Sequence, residues 1–370
     1  MSLCAFCLLP LCLSEMNIAV IGPGGIGCLF SALLAEAGHD VCLIDRRPDR
    51  AALISREGLI IESEAPCGTE SAGHIFDLRN SADLPSPAIA GFAKAGAKPL
   101  AAKASNGDLR TVCLCAHAFP ADIGPVELII LCVKAHETAG TMPSVIALSA
   151  PQTKVISLQN GLGNLEAIKR VVAGDNLFAG VTTHGATVIG LNHVRHAGAG
   201  STNIGSINDN NEGADSLAKM FSKAGIASSA EKNTTGLLWS KLIINAAICP
   251  VSVLANLPNG QIAENDKWRS LLCKAAEEGG KIAAAKGIKL TFADPVRAVL
   301  EVCEKTSQNI SSMLQDIRRG RQTEIMEING AVLRAAAELG LDAPTNAMLC
   351  ESVVEIETRL KIIAVSTMRS

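Results

Sequence analysis

The sequence predicts an α/β fold: a doubly wound, mostly parallel sheet followed by an all-helical C-terminal part. Three observations carry this. Short apolar runs rich in β-branched residues recur through the first half of the chain. Helical patterns separate them, the alternation of a parallel sheet covered on both faces. From Thr234 onward the pattern is helical almost to the end.

The elements follow in order. Asn17 to Gly22 (NIAVIG) reads as a buried parallel strand, and the glycine turn after it opens an apolar helix that stops at Gly38. His39 to Asp45 (HDVCLID) is the next strand, completing a β-turn-α-β unit. Val126 to Ala135 (VELIILCVKA) and Lys154 to Gly161 (KVISLQNG) are further buried strands with a helical stretch between them. After Leu177 come short β-like runs, and DSLAKMFSKAG reads as a helix. We expect a dispensable extension over residues 1–15, an α/β domain over 16–233 and a helical domain over 234–370. Residues 71–110, rich in Ala, Gly, Pro and Ser without periodicity, read as a poorly ordered surface insert.

Composition excludes several classes. A net charge of −3 gives no basic footprint for nucleic acid. The apolar run Leu237 to Leu257 is interrupted by Lys241, Asn245 and Pro250, which argues against a membrane span. Thirteen cysteines, most of them single in apolar runs, suit small core residues in a reducing, cytoplasmic setting. The lone C-x-x-C at Cys4 and Cys7 has no second pair, so no metal site is expected. Tyrosine is absent, so no tyrosine donates a proton.

Gly22-Pro-Gly24-Gly25-Ile26-Gly27 is G-x-G-x-x-G between a strand and a helix. The first glycine permits the tight turn, the second lets backbone approach a pyrophosphate, and the third lets helix pack on strand. The phosphates meet the free N–H groups of the helix start. The following strand ends in IDRRPDR, where Asp45 suits a ribose hydroxyl and Arg46 a 2′-phosphate. Arg47 and Arg50 read as a solvated basic loop.

A second set of polar residues stands at strand ends: Lys134 in CVKA and Asn160 in LQNGLGN, both on the carboxyl edge that lines the ligand crevice of such sheets. Near the C-terminus, Ser312 with Gln315 reads as a capping box, and Glu324 opens a further helix, where acids are usual. Lys241 sits inside an apolar helix. By itself this is a lysine that snorkels to water.

Taken together, GPGGIG, CVKA, QNGLGN, WSKLIINAAICP, NLPNG and SSMLQDIRRGRQTEIMEING strongly resemble the ketopantoate reductase family, from Met16 to about Glu338. The glycine turn is generic; the last motif, in register with the lysine helix, is specific. The resemblance implies an N-terminal Rossmann domain, a helical C-terminal domain and a cleft between them. It implies NADPH-dependent reduction of 2-dehydropantoate to pantoate, on the route to pantothenate and coenzyme A. Lys241 then falls on the catalytic lysine that protonates the carbonyl oxygen, and Glu324 on the acid that contacts substrate and orients that lysine. Asn245, Asn259, Asn309 and Ser312 fall on substrate-binding positions, Ser312 on the one that holds the carboxylate. Gly22, Gly24, Gly25, Ile26, Gly27, Arg46, Lys134 and Asn160 fall on cofactor positions, and Arg46 tips the choice towards NADP. The expected partners are a small-molecule 2-keto acid and a second copy of the chain as a homodimer, with no nucleic acid and no membrane.

One departure stands out. Cys249 occupies a position where the family commonly has asparagine, so a substrate hydrogen bond is expected to be missing. That keeps alive a related 2-keto-acid reductase or an opine-type dehydrogenase. A non-catalytic NADP(H)-binding protein is the third reading, and the retained Lys241 and Glu324 speak against it.

Overall fold

The computed structural model describes residues 16–63 and 109–367, with side chains described to residue 361. The extension over 1–15, and the insert over all of its length but Leu109 and Arg110, lie outside the described residues. Those two belong instead to a strand, Leu109–Val112, paired antiparallel with Leu59–Ser63.

The strands are β1 (Asn17–Ile21), β2 (Asp40–Ile44), β3 (Leu59–Ser63), β4 (Leu109–Val112), β5 (Cys115–His117), β6 (Leu128–Leu131), β7 (Lys154–Ser157), β8 (Leu177–Thr182), β9 (Gly185–Val188), β10 (His193–Gly198), β11 (Thr202–Ser206) and β12 (Ser228–Ala230). Eight form one sheet in the order β12-β11-β8-β7-β6-β1-β2-β5. It is parallel except where β11 runs antiparallel to β8. The remaining four form a smaller sheet, β4-β3-β10-β9.

The helices α1 (Gly25–Glu36), α2 (Pro48–Glu57), α3 (Thr138–Leu148), α4 (Asn164–Ile168) and α5 (Asn211–Lys223) accompany the strands. Alternation along β1 shows how the large sheet is covered. Ile18 and Val20 pack into one apolar layer with Phe30 of α1 and Phe221 of α5, while Ala19 and Ile21 pack into another with Met142 and Val145 of α3. A strand buried on both faces needs a continuous apolar run, and β6 (Leu-Ile-Ile-Leu) is fully buried over its four residues. Each such side chain contributes about 1.5–3 kcal/mol.

The chain then becomes helical: α6 (Thr234–Ala255), α7 (Asn259–Glu264), α8 (Asp266–Ala285), α9 (Pro295–Lys305), α10 (Ser312–Arg318), α11 (Ile325–Glu338) and α12 (Pro344–Thr367). Asn233 caps α6, its side chain accepting from the Gly236 N–H at 3.0 Å. By length and composition α6 could cross a bilayer, but here it is the buried centre of the helical part, with 72% of its most apolar window inside the protein. It runs straight past Pro250. Proline has no N–H for the carbonyl four residues back. That carbonyl, Ala246 O, accepts instead from the side chain of buried Asn329 on α11 at 2.9 Å. The helix therefore keeps its register, and Lys241, Asn245 and Cys249 share one face.

Candidate active site

The cleft runs along the carboxyl edge of the large sheet, in the order the topology dictates. Thr182 ends β8, Asn160 follows β7, Lys134 follows β6, and the glycine turn follows β1. Strand order reverses at β1, where doubly wound sheets bind ligands. Helices α6, α10 and α11 close the other side. The cleft has two overlapping lobes. One, about 810 Å³, is lined by Gly24, Gly25, Ile26, Lys134, Asn160, Asp316 and Glu324 among others. The other, about 1750 Å³, takes in Asn160, Thr182, His184, Lys241, Asn245, Asn309 and Ser312.

The glycine turn is forced by its neighbours. Gly22 has φ +111°, and a Cβ there would lie 2.4 Å from the backbone nitrogen of Val133, so the chain just past β6 runs too close for any side chain. Gly24 is the opposite case: its Cβ would meet nothing within 4 Å, which leaves backbone open to a ligand. The first bond inside α1 runs from the Cys28 N–H to Gly24 O. The N–H groups ahead of it stay free for an anion. These features fit the pyrophosphate of a dinucleotide.

At the end of β2 the sequence reading needs correction. Arg50 is not a solvated loop residue; it is buried, donating from Nη1 to Pro23 O at 2.8 Å and to Asp45 Oδ2 at 3.1 Å, and from Nε to Leu191 O. Asp45 is buried too, its Oδ1 accepting from the Arg47 N–H at 3.0 Å. Its carboxylate is thus committed inward and does not compete for a ribose. Arg46 remains exposed and pairs with Glu137. A surface pair of this kind is worth about 0–1 kcal/mol, so a phosphate can replace it.

Lys134 and Glu324 form the centre of the first lobe. The Lys134 ammonium lies 2.6 Å from Asp316 Oδ2 and 3.5 Å from Glu324 Oε2. Burial works against its charge, but Glu324 and Asp316 together outweigh burial and hold the pKa above the ordinary lysine value. Glu324 Oε1 accepts from the Ala135 N–H and Oε2 from the Asn160 amide, each at 3.0 Å. Asn160 is held for this by its own loop. Gly161, at φ +78°, brings backbone against Glu327 on α11, and the Leu162 N–H donates to Glu327 O at 3.0 Å.

Lys241 stands apart from that cluster. It is half-buried, and its ammonium donates to the Thr182 carbonyl at 3.1 Å. The expected direct orientation of Lys241 by Glu324 is therefore not what the side chains do; the carboxylate is already filled by Lys134, Asn160 and Ala135, and acts on Lys241 only through its charge. Burial lowers the Lys241 pKa, with Glu324 and Cys249 opposing the shift.

Asn245, Asn309 and Ser312 line the second lobe as expected. Asn259 does not. Its amide donates to Thr306 Oγ1 at 2.9 Å, and its backbone N–H to Asn309 O at 3.0 Å, so it braces the 306–309 loop from behind. The α10 cap also differs: Ser311 Oγ accepts from the Leu314 N–H at 3.1 Å, and Gln315 donates to Ile310 O, leaving Ser312 exposed to the cleft. Cys249 is buried, outside the lining of either lobe, and burial pushes its thiol up to about 12.

Sequence reasoning missed Asp316. Its spacing from Ser312, four residues on the same short helix, was the available signal. It also missed that Arg319 lines both lobes.

Two family models match the chain: ketopantoate reductase PanE/ApbA over residues 18–209, and its C-terminal counterpart over 233–357. A 2-dehydropantoate 2-reductase of Pyrococcus horikoshii is 33% identical over 335 residues, 90% of this chain and 95% of that protein. A PanE/ApbA family ketopantoate reductase from Ralstonia eutropha superposes with a TM-score of 0.75 at 27% identity, covering 94% of this chain and 100% of that one. D-mandelate dehydrogenase in complex with NADH and anilino(oxo)acetate superposes at 0.77 and 24% identity, over 94% of this chain and 100% of that one, a likeness of fold.

Proposed function

The chain belongs to the ketopantoate reductase family, and from that premise we propose that it reduces 2-dehydropantoate to pantoate with NADPH, a step towards pantothenate and coenzyme A. The observation that carries this reading is the division between two lysines. Lys134 is neutralised by Asp316 and Glu324, whereas Lys241 faces the second lobe with only a carbonyl as partner among the described residues.

Reduced nicotinamide, when bound, supplies the hydride. Lys241 holds a proton at Nζ for the carbonyl oxygen of the keto acid and stabilises the negative charge growing there. Asn245, one turn along α6, and Asn309 and Ser312 across the lobe offer hydrogen bonds that orient the acid. Asn160, where the two lobes meet, and Lys134, at the centre of the first, position the nicotinamide end of the cofactor. Residues 16–233 would hold the cofactor, residues 234–370 the proton donor and substrate contacts, in a cytoplasmic enzyme.

Loss of NADPH absorbance with 2-dehydropantoate and a panel of 2-keto acids tests the reading. Reduction of 2-dehydropantoate with the highest kcat/KM supports it; clear preference for another keto acid, or for an amino acid plus keto acid, replaces it with the related-reductase or opine-type reading. Because Asp45 is turned inward and Arg46 is exposed, NADPH is expected to be preferred over NADH. Arg46→Ala should raise the KM for NADPH roughly 3- to 10-fold and leave NADH unchanged, the loss of one charge-assisted contact. Equal use of both cofactors by the unmodified protein would make Arg46 a surface charge only. Since Cys249 lies outside the cleft lining, Cys249→Asn should change the KM for 2-dehydropantoate by no more than about 3-fold, within the net worth of one hydrogen bond. A larger fall in KM would return position 249 to the substrate wall.

A further inference from the structure

Three cations line the first lobe: Lys134, Arg319 and Arg321. One is matched by carboxylates: Lys134 lies between Asp316 and Glu324. Arg321 is exposed and makes no ion pair among the described residues. Arg319 has no ion-pair partner among the described residues. It caps the C-terminal end of α10, is exposed, and reaches over the cleft from Nη2 to Val188 O on β9 at 3.4 Å. That is a long bond to a neutral acceptor, easily exchanged for an anion. Facing it, Gly24 is open and the free N–H groups of α1 converge on the same space.

We propose that Arg319 is a phosphate ligand for the dinucleotide, reaching from the helical part of the protein onto a pyrophosphate seated on the glycine turn; this rests on the NADPH reading above. Two phosphates bring negative charge to a lobe whose most buried cation, Lys134, is already matched by two acids. The helix N-terminus answers part of that charge from the sheet side, and Arg319 answers the rest from the opposite wall. Its planar fork suits phosphate oxygens. Because α10 also carries Ser312, the same contact ties the wall of the substrate lobe to the bound cofactor.

The test is nucleotide affinity, measured by fluorescence titration of NADPH and of NADH against the unmodified protein, Arg319→Ala and Arg319→Lys. The pyrophosphate is common to both nucleotides. Arg319→Ala should therefore weaken both by the same factor, roughly 10-fold, with a shallower salt dependence, and Arg319→Lys should recover part of the loss. Arg46→Ala, by contrast, should weaken NADPH alone. Unchanged affinity for both nucleotides in Arg319→Ala overturns the proposal, as does a rise confined to the KM of the keto acid, which would place Arg319 on the substrate. Failure of the unmodified protein to bind either nucleotide overturns the cofactor reading itself, and the proposal with it.

Discussion

Lys241→Ala is expected to lose turnover by about 100- to 10,000-fold, the usual contribution of a positioned proton donor. NADPH affinity should stay within about 2-fold, because the side chain lines the second lobe and not the glycine turn. Rapid kinetics with saturating NADPH and a separate binding titration check both halves. The pH profile gives an independent reading. Only the protonated ammonium donates, so kcat falls as pH rises through the Lys241 pKa. Burial lowers that pKa from 10.5, so the alkaline limb should appear below the ordinary lysine range, and it should vanish in Lys241→Ala. A folded Lys241→Ala protein with near-normal turnover would remove the lysine from the mechanism.

Glu324→Ala should cost both fold stability and activity. Removing the carboxylate strands the Ala135 N–H and the Asn160 amide and takes one of two acids from Lys134. Breaking a buried pair costs about 3–5 kcal/mol; Lys134 is one-third exposed, so water screens it and the lower end, about 3 kcal/mol, is the expected loss. A urea unfolding curve should show a lower midpoint at unchanged slope. Glu324→Gln separates the two roles. It can still accept from the Ala135 N–H, so most of the stability should return, while the charge that favours protonated Lys241 does not. Turnover of Glu324→Gln should therefore fall at a lower pH than that of the unmodified protein. A coincident alkaline limb in the two proteins would confine Glu324 to structural support.

Much of the fold was legible because it is written in local pattern. Runs such as Ile18 to Ile21 and Leu128 to Leu131 are too apolar for an edge, and glycines at positions 22 and 38 punctuate strand and helix. The smaller sheet was not legible. Its strand β3 pairs with β4 and β10, segments far along the chain, so no local period reveals that they join. The glycine turn was legible from its strand-to-helix context; helix periodicity put Asn245 on the face of Lys241, but only the family resemblance gave the two a role, since Lys241 by itself reads as a lysine that snorkels to water.

The sequence by itself determined the order of elements, the placing of polar residues at strand ends, and the face that Lys241 shares with Asn245, since each depends on neighbours within a few residues. Only the tertiary structure decided which charge answers which. It turned Asp45 inward to Arg50, gave Glu324 to Lys134 and Asn160 rather than to Lys241, drew Asn259 behind the cleft, and left Arg319 facing the glycine turn. The physical reason is range. Backbone pattern is set by contacts along the chain, whereas a buried charge takes its partner from whatever the fold brings within about 4 Å, and in this site those partners lie up to 189 residues away.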